Sequence, residues 1–141
     1  STPSNSSAAS DVYKRQAVKL VIAIPTRDRK GLDDVVNEVF ARAPYLTIIE
    51  ATEGGYWIME VIENEFKSLS HGVGPIIVKI LRDKGVNAVA APEVGCGVEQ
   101  LLQELGIKYC RVEPGTRVRD VVEKIVNQIK DTNYYANEKN L

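Results

Sequence analysis

The sequence predicts an α/β protein in three layers, a mixed five-stranded sheet flanked by helices, and three observations carry that expectation. Val18 to Ile24 is a nearly continuous β-branched run, as a central strand needs when both its faces are covered. Two further β-rich runs, Tyr45 to Ala51 and Tyr56 to Ile62, are joined by Thr52-Glu53-Gly54-Gly55, a link short and glycine-rich enough for a hairpin. From Val73 onward helical and strand periods alternate, which is the pattern of parallel strands joined by crossover helices.

Ser1 to Gln16 is rich in Ser, Ala and Asn and has no hydrophobic period, so residues 1–17 are expected to be a disordered leader or a cloning remnant. The first strand should end at Pro25. After the charged loop from Thr26 to Gly31, Leu32, Val35, Val36, Val39 and Phe40 fall at helical spacing and predict a short amphipathic helix closed by Pro44. Within the hairpin, Trp57, Met59 and Val61 alternate on one strand face as core or interface.

Asn64 to His71 reads as polar loop. Val73, Ile76, Ile77, Ile80 and Leu81 then carry a helix, with Pro75 in its first turn and Gly85 past its last. A short buried strand, Ala88 to Ala91, leads through Pro92 and Gly95 into a second helix with Val98, Leu101, Leu102 and Leu105 on one face. Ile107 to Val112 is the last strand. Thr116 is the expected N-cap of a final helix bearing Val118, Val121, Val122, Ile125 and Ile129, followed by a disordered polar tail over 131–141. The domain is thus expected to span 18–130.

Right-handed crossovers place the hairpin on one side of the first strand and the two later strands on the other. The second hairpin strand and the later strands then run parallel to the first. Four loops open at one edge as a result: Thr26 to Gly31, Asn64 to Gly74, Pro92 to Gly97 and Val112 to Gly115.

Composition narrows the function classes. Eighteen basic residues against nineteen acidic ones, without a long basic run, give no broad footprint for nucleic acid. No apolar run approaches the roughly 20 residues that span a bilayer, so a cytoplasmic protein is expected. Two cysteines do not make a disulfide framework and read as free thiols or metal ligands.

The shared edge collects the only histidine, His71, and Cys96, each flanked by glycines: Gly72 and Gly74 beside the first, Gly95 and Gly97 around the second. Thiolate and imidazole form a soft donor pair suited to iron, copper, zinc or an iron-sulfur cluster, and helix N-termini present free N–H groups to anions. The alternative is structural, with His71 capping a helix and Cys96 filling a small space. Cys110, inside a strand, reads as core packing and a reserve ligand. A single chain has too few soft donors for a closed zinc site, so a cluster with mostly inorganic ligands, or one shared between chains, fits better. Neither Gly-x-Gly fragment completes a dinucleotide or Walker pattern, and the first strand carries no carboxylate to help hold paired magnesium ions.

Several segments together resemble the nitrogenase iron-molybdenum cofactor biosynthesis family, which comprises small cofactor carrier and insertion proteins and orange-protein-like members. They are Lys19-Leu-Val-Ile-Ala-Ile-Pro25, Val39-Phe-Ala-Arg-Ala-Pro-Tyr45, Val61-Ile-Glu-Asn64, His71-Gly-Val-Gly74, Gly85-Val-Asn-Ala-Val89 and Leu105-Gly-Ile-Lys108. The resemblance implies a ribonuclease H-like fold. It also implies binding or carriage of an iron-sulfur, iron-molybdenum or molybdenum-copper cluster, or of its precursor, with a possible protein acceptor. Arg42 matches the family's Arg-Ala-Pro arginine and would neutralise an anionic cluster; His71 matches a histidine before the Gly-x-Gly of the first long helix. Val39 and Ala41 depart from the family's His-Phe-Gly, and Cys96 stands in a turn where other members have small residues.

The leading expectation is therefore a non-enzymatic cluster-binding protein, monomer or homodimer, with His71 and Cys96 as metal ligands and Arg42, Gly72, Gly74, Gly95 and Gly97 around the cofactor. A thiol enzyme using Cys96 with His71 as base is the alternative, as is a metal-free module for a small ligand or protein.

Overall fold

A computed structural model describes residues 19–139, with side chains described for residues 19–130. The expected leader over 1–17 lies outside the described residues. Five strands, β1 (Lys19–Thr26), β2 (Tyr45–Thr52), β3 (Gly55–Glu63), β4 (Ala88–Ala91) and β5 (Lys108–Arg111), form one sheet in the order β3-β2-β1-β4-β5. Antiparallel pairing of β1 with β2 and of β2 with β3, and parallel pairing of β1 with β4 and of β4 with β5, make the sheet mixed, as expected. The carboxyl ends of β1, β3, β4 and β5 therefore share one edge.

Three helices cover the sheet: α1 (Val73–Asp83), α2 (Cys96–Glu104) and α3 (Val118–Lys139). Period-two alternation sorts the central strands between two cores. Val21 and Ala23 of β1, Leu46 and Ile48 of β2 and Val89 and Ala91 of β4 pack against Val73, Ile77, Val78 and Leu81 of α1 and Leu102 of α2. Their neighbours Ile22, Ile24, Ile49, Ala51, Ala88 and Ala90 face Val118, Val121, Val122, Ile125, Val126 and Ile129 of α3. At about 1.5–3 kcal/mol for each large side chain fully withdrawn from water, these two interfaces hold the layers together. Among the described residues, no helix is long and apolar enough to cross a membrane.

Five local expectations are corrected. Leu32 to Phe40 is not a helix; a 3-10 turn, Gly31–Asp33, is followed by extended chain whose backbone bonds elsewhere. Val36 N–H donates to the Thr116 carbonyl, Asn37 N–H to Pro25 and Val118 N–H to Asp34. The reason is Asp34, a buried carboxylate that accepts the N–H groups of Asp28, Lys30 and Val35 at 2.8–3.1 Å, a local competitor to helical bonding. Only Val36 and Phe40 of the apolar set become fully buried.

β1 also continues through Pro25, which pairs with Leu46. The Asn37 amide takes the Pro25 carbonyl on the side away from β2, so the missing proline N–H interrupts no bond to β2. In β3 the register slips between Ile48 and Ile49, where Ile48 pairs with Glu60 and Ile49 with Ile58. Met59 is the extra residue of this bulge, which separates Trp57 and Val61 onto opposite faces. Thr116 does not cap α3; its hydroxyl donates to the Glu113 carbonyl. Finally, α3 runs on to Lys139 where a disordered tail was expected from residue 131, since an established helix extends at little cost per residue.

Candidate functional site

The sheet edge is assembled from the starts of α1 and α2. Gly72 is the N-cap of α1 at φ 77° and ψ 11°, and Gly95 is the N-cap of α2 at φ 84° and ψ 150°, a combination open essentially to glycine alone. Neither helix start receives a side-chain cap, so His71, one residue before Gly72, does not cap α1. Cys96 is the first residue of α2. Both His71 and Cys96 are exposed.

Gly74 sets the spacing of the two helices. A β-carbon there would lie 2.6 Å from Val98 Cγ2, so the start of α1 sits directly against the start of α2 only because residue 74 has no side chain. Gly74 thus serves packing, whereas β-carbons at Gly72, Gly95 and Gly97 would meet nothing within 4 Å. The two helix starts lie side by side under open surface. Their uncapped N–H groups and dipoles favour negative charge in that space.

A second set of polar residues braces this edge, and sequence reading missed most of it. Asn64 is 3% exposed; its side-chain amide donates to the Ala41 and Ala43 carbonyls at 2.8 Å each and its Oδ1 accepts the Phe66 N–H at 2.9 Å. Arg42 donates to the carbonyls of Lys67, Leu69 and Ser70 at 2.8, 2.7 and 3.5 Å. The guanidinium is therefore engaged with the loop that ends at His71. Tyr109 of β5 donates its hydroxyl to the Ala91 and Pro92 carbonyls at 3.1 and 3.2 Å, and burial pushes its phenol pKa up. That contact steadies the turn into Gly95 and Cys96. Of this set the sequence reading names Arg42; Asn64, read as the start of a polar loop, carries a signal in its place just after a strand, because an amide there often bonds a neighbouring turn.

The donor set decides what could be held. Among the described residues no three His, Cys, Asp or Glu side chains gather to hold a metal ion. One thiol and one imidazole per chain are too few to enclose a bare ion, but a cluster that brings its own sulfide ligands needs fewer from protein and gains from the N–H groups. Among the described residues no hydrogen bond joins the Cys96 thiol to the His71 imidazole. Cys110 is half-buried in β5 and lines an open groove of about 530 Å³ between β5 and α3, on the face of the sheet opposite α1 and α2.

Comparison with known proteins places this edge in context. The sequence model of the dinitrogenase iron-molybdenum cofactor family matches residues 18–128. The uncharacterized protein MJ0580 of Methanocaldococcus jannaschii is 30% identical over 91 residues, 64% of this chain and 73% of that protein. Among solved structures, the apo form of the orange protein from Desulfovibrio gigas is similar with a TM-score of 0.68 and 27% identity, over 77% of this chain and 88% of the other. The solution structure of a Thermotoga protein, TM1290, of the DUF35 family, matches over the same shares with a TM-score of 0.62 and 33% identity.

Proposed function

The chain belongs to the dinitrogenase iron-molybdenum cofactor family, and from that membership we propose that it binds and carries a metal-sulfur cluster or an iron-molybdenum-type cofactor precursor as cargo, without catalysing a reaction. The single observation that carries the reading is the pair of glycine-fronted helix starts held side by side by the contact of Gly74 with Val98, with His71 and Cys96 exposed beside them. Cys96 supplies a thiolate and His71 an imidazole to the metals. The free N–H groups at the starts of α1 and α2 hold the sulfide or oxo face of an anionic cluster. Gly72, Gly95 and Gly97 keep side chains out of its way. Arg42 contributes positive charge while fixing the loop that presents His71.

The proposal extends to architecture. The carrying domain is residues 18–130 in a ribonuclease H-like arrangement, and the cargo is iron-sulfur, iron-molybdenum or molybdenum-copper in type, passed on to a protein acceptor. An exposed, incompletely ligated site suits a carrier, because cargo held by two side chains and backbone N–H groups can leave without unfolding its host.

The test is reconstitution under nitrogen with iron and sulfide, molybdate and sulfide, or copper, molybdate and sulfide, followed by metal and acid-labile sulfide analysis and an absorption spectrum. The expected result is stoichiometric metal with a visible chromophore in the unaltered chain, and loss of both in Cys96→Ala and His71→Ala. Retention of full metal content in both variants would move the site elsewhere. Absence of metal from the unaltered chain under all three conditions would overturn the carrier function.

A further inference from the structure

His71 and Cys96 reach the open edge on supports of different strength. The loop that ends at His71 is held by Arg42 through the carbonyls of Lys67, Leu69 and Ser70. The turn that leads to Cys96 is held by far less. Between β4 and Gly95, Pro92, Glu93 and Val94 neither give nor take a backbone–backbone hydrogen bond among the described residues. Val94 anchors the middle of the turn by burying its side chain in the core beneath α1 and α2. The polar tie is Tyr109 of β5, whose hydroxyl donates to the Ala91 carbonyl at 3.1 Å and to the Pro92 carbonyl at 3.2 Å.

These two bonds are not equivalent. The Ala91 carbonyl also accepts the Val112 N–H at 3.2 Å, so the sheet sets its direction with or without Tyr109. Among the described residues the Pro92 carbonyl has no other donor. A proline ring fixes φ and the peptide bond is planar, so a hydroxyl holding the Pro92 carbonyl settles ψ, the one backbone torsion that the ring leaves free. The direction in which the chain leaves β4 for α2 then follows. The ring of Tyr109 borders an open hollow of about 380 Å³ between α2 and β5, so on that side its hydroxyl bonds, and not packing, keep it over the turn.

We propose that Tyr109 is a positioning residue for the cargo site: its hydroxyl, by fixing the Pro92 carbonyl, sets the direction in which the Cys96 thiol and the first N–H groups of α2 are presented to a metal-sulfur cluster. This role rests on the carrier function proposed above for the same edge. Tyr109 acts through the turn and not on the metal. It governs how long cargo stays, because a thiolate and a row of N–H groups hold one cluster together only while their relative positions are kept.

The experiment has a metal-free arm and a loaded arm. Each compares the unaltered residue with Tyr109→Phe, which keeps the ring and removes the hydroxyl, and with Ile125→Val, a core change in α3 on the opposite face of the sheet. In the metal-free arm a nitroxide is attached to Cys96 in the Cys110→Ala chain, where it is the only thiol. Tyr109→Phe should shorten the rotational correlation time of the label about twofold, and Ile125→Val should leave it unchanged. In the loaded arm the chain is reconstituted with iron and sulfide, or with molybdate and sulfide where iron does not load, and loss of its visible absorption is followed in excess EDTA. Tyr109→Phe should take up the same metal and release it about tenfold faster, the effect of one lost hydrogen bond, while Ile125→Val again changes nothing. Pro92→Gly, which frees both torsions, should act in the same direction in both arms. A label no more mobile in Tyr109→Phe than in the unaltered chain, or release speeded equally by Ile125→Val, would overturn the role of Tyr109. Absence of metal from the unaltered chain under every reconstitution condition, together with a mobilised label, would overturn the carrier function and uphold the part of Tyr109 in placing Cys96.

Discussion

At one edge of the sheet stand two sets of polar groups that differ in what they touch. In the first, Asp34, Arg42 and Asn64 give their side-chain donors or acceptors to backbone groups of neighbouring loops. In the second, His71 and Cys96 stand exposed beside glycines that leave the helix starts clear. The first set is already engaged with protein backbone, and among the described residues the second set bonds none of it. Polarity of sequence cannot tell a strut from a ligand, because both are polar residues in loops; the hydrogen-bond partners can. Substitutions in the first set should cost stability, and substitutions in the second should cost binding.

The largest stability effect is expected at Asn64. Alanine there removes two donors from the Ala41 and Ala43 carbonyls and an acceptor from the Phe66 N–H, with the residue almost wholly buried. An expected loss of about 3 kcal/mol, the desolvation cost of leaving such groups unpaired, would appear as a lower urea midpoint at unchanged slope. A loss under 1 kcal/mol would mean that water replaces the amide and that the braced set is no more structural than the open one.

Gly74 belongs to both sets, since it spaces the helices on which the open surface rests. Alanine would gain about 1 kcal/mol in helix propensity, yet its β-carbon would meet Val98 Cγ2 at 2.6 Å. Val98 is β-branched and cannot swing away, so overpacking of about 1–3 kcal/mol should win and leave a net destabilisation near 1 kcal/mol. Val98→Ala removes the obstructing methyl group. The double variant should therefore be more stable than the sum of the single changes, measured by urea denaturation in a double-mutant cycle. Simple additivity would show that the helices move apart instead.

Most of the fold was legible because its core strands and helices have strong periods. The run from Leu20 to Ile24 announced a central strand, and the alternation after Val73 placed β4 and β5 parallel to β1. The segment from Leu32 to Phe40 misled because its helical spacing is real, but Asp34 offers three nearby N–H groups an acceptor that no hydrophobic pattern reveals. The bulge at Met59 was hidden for a related reason: it is a property of the pairing with β2, not of β3 alone. At the site, the sequence brought His71 and Cys96 to one edge through topology, yet it could not separate Gly74, which packs, from Gly95, whose backbone angles require glycine.

The smallest stability effect should belong to the residues proposed to matter most for binding. Cys96→Ala removes an exposed thiol from the first position of α2, where alanine is a good helix former and no helix cap depends on sulfur. His71→Ala acts on an exposed loop position one residue before the αL glycine at 72, so the N-cap geometry stays. Both are expected to shift unfolding free energy by less than about 0.5 kcal/mol. If instead either change lowers stability by 1 kcal/mol or more in metal-free protein, the residue is part of the brace, and loss of metal from that variant would no longer identify a ligand. A null result in metal-free protein gives the reconstitution experiment its meaning: stability added by cargo would be present in the unaltered chain and missing from the two variants, as expected when a ligand binds only the folded state.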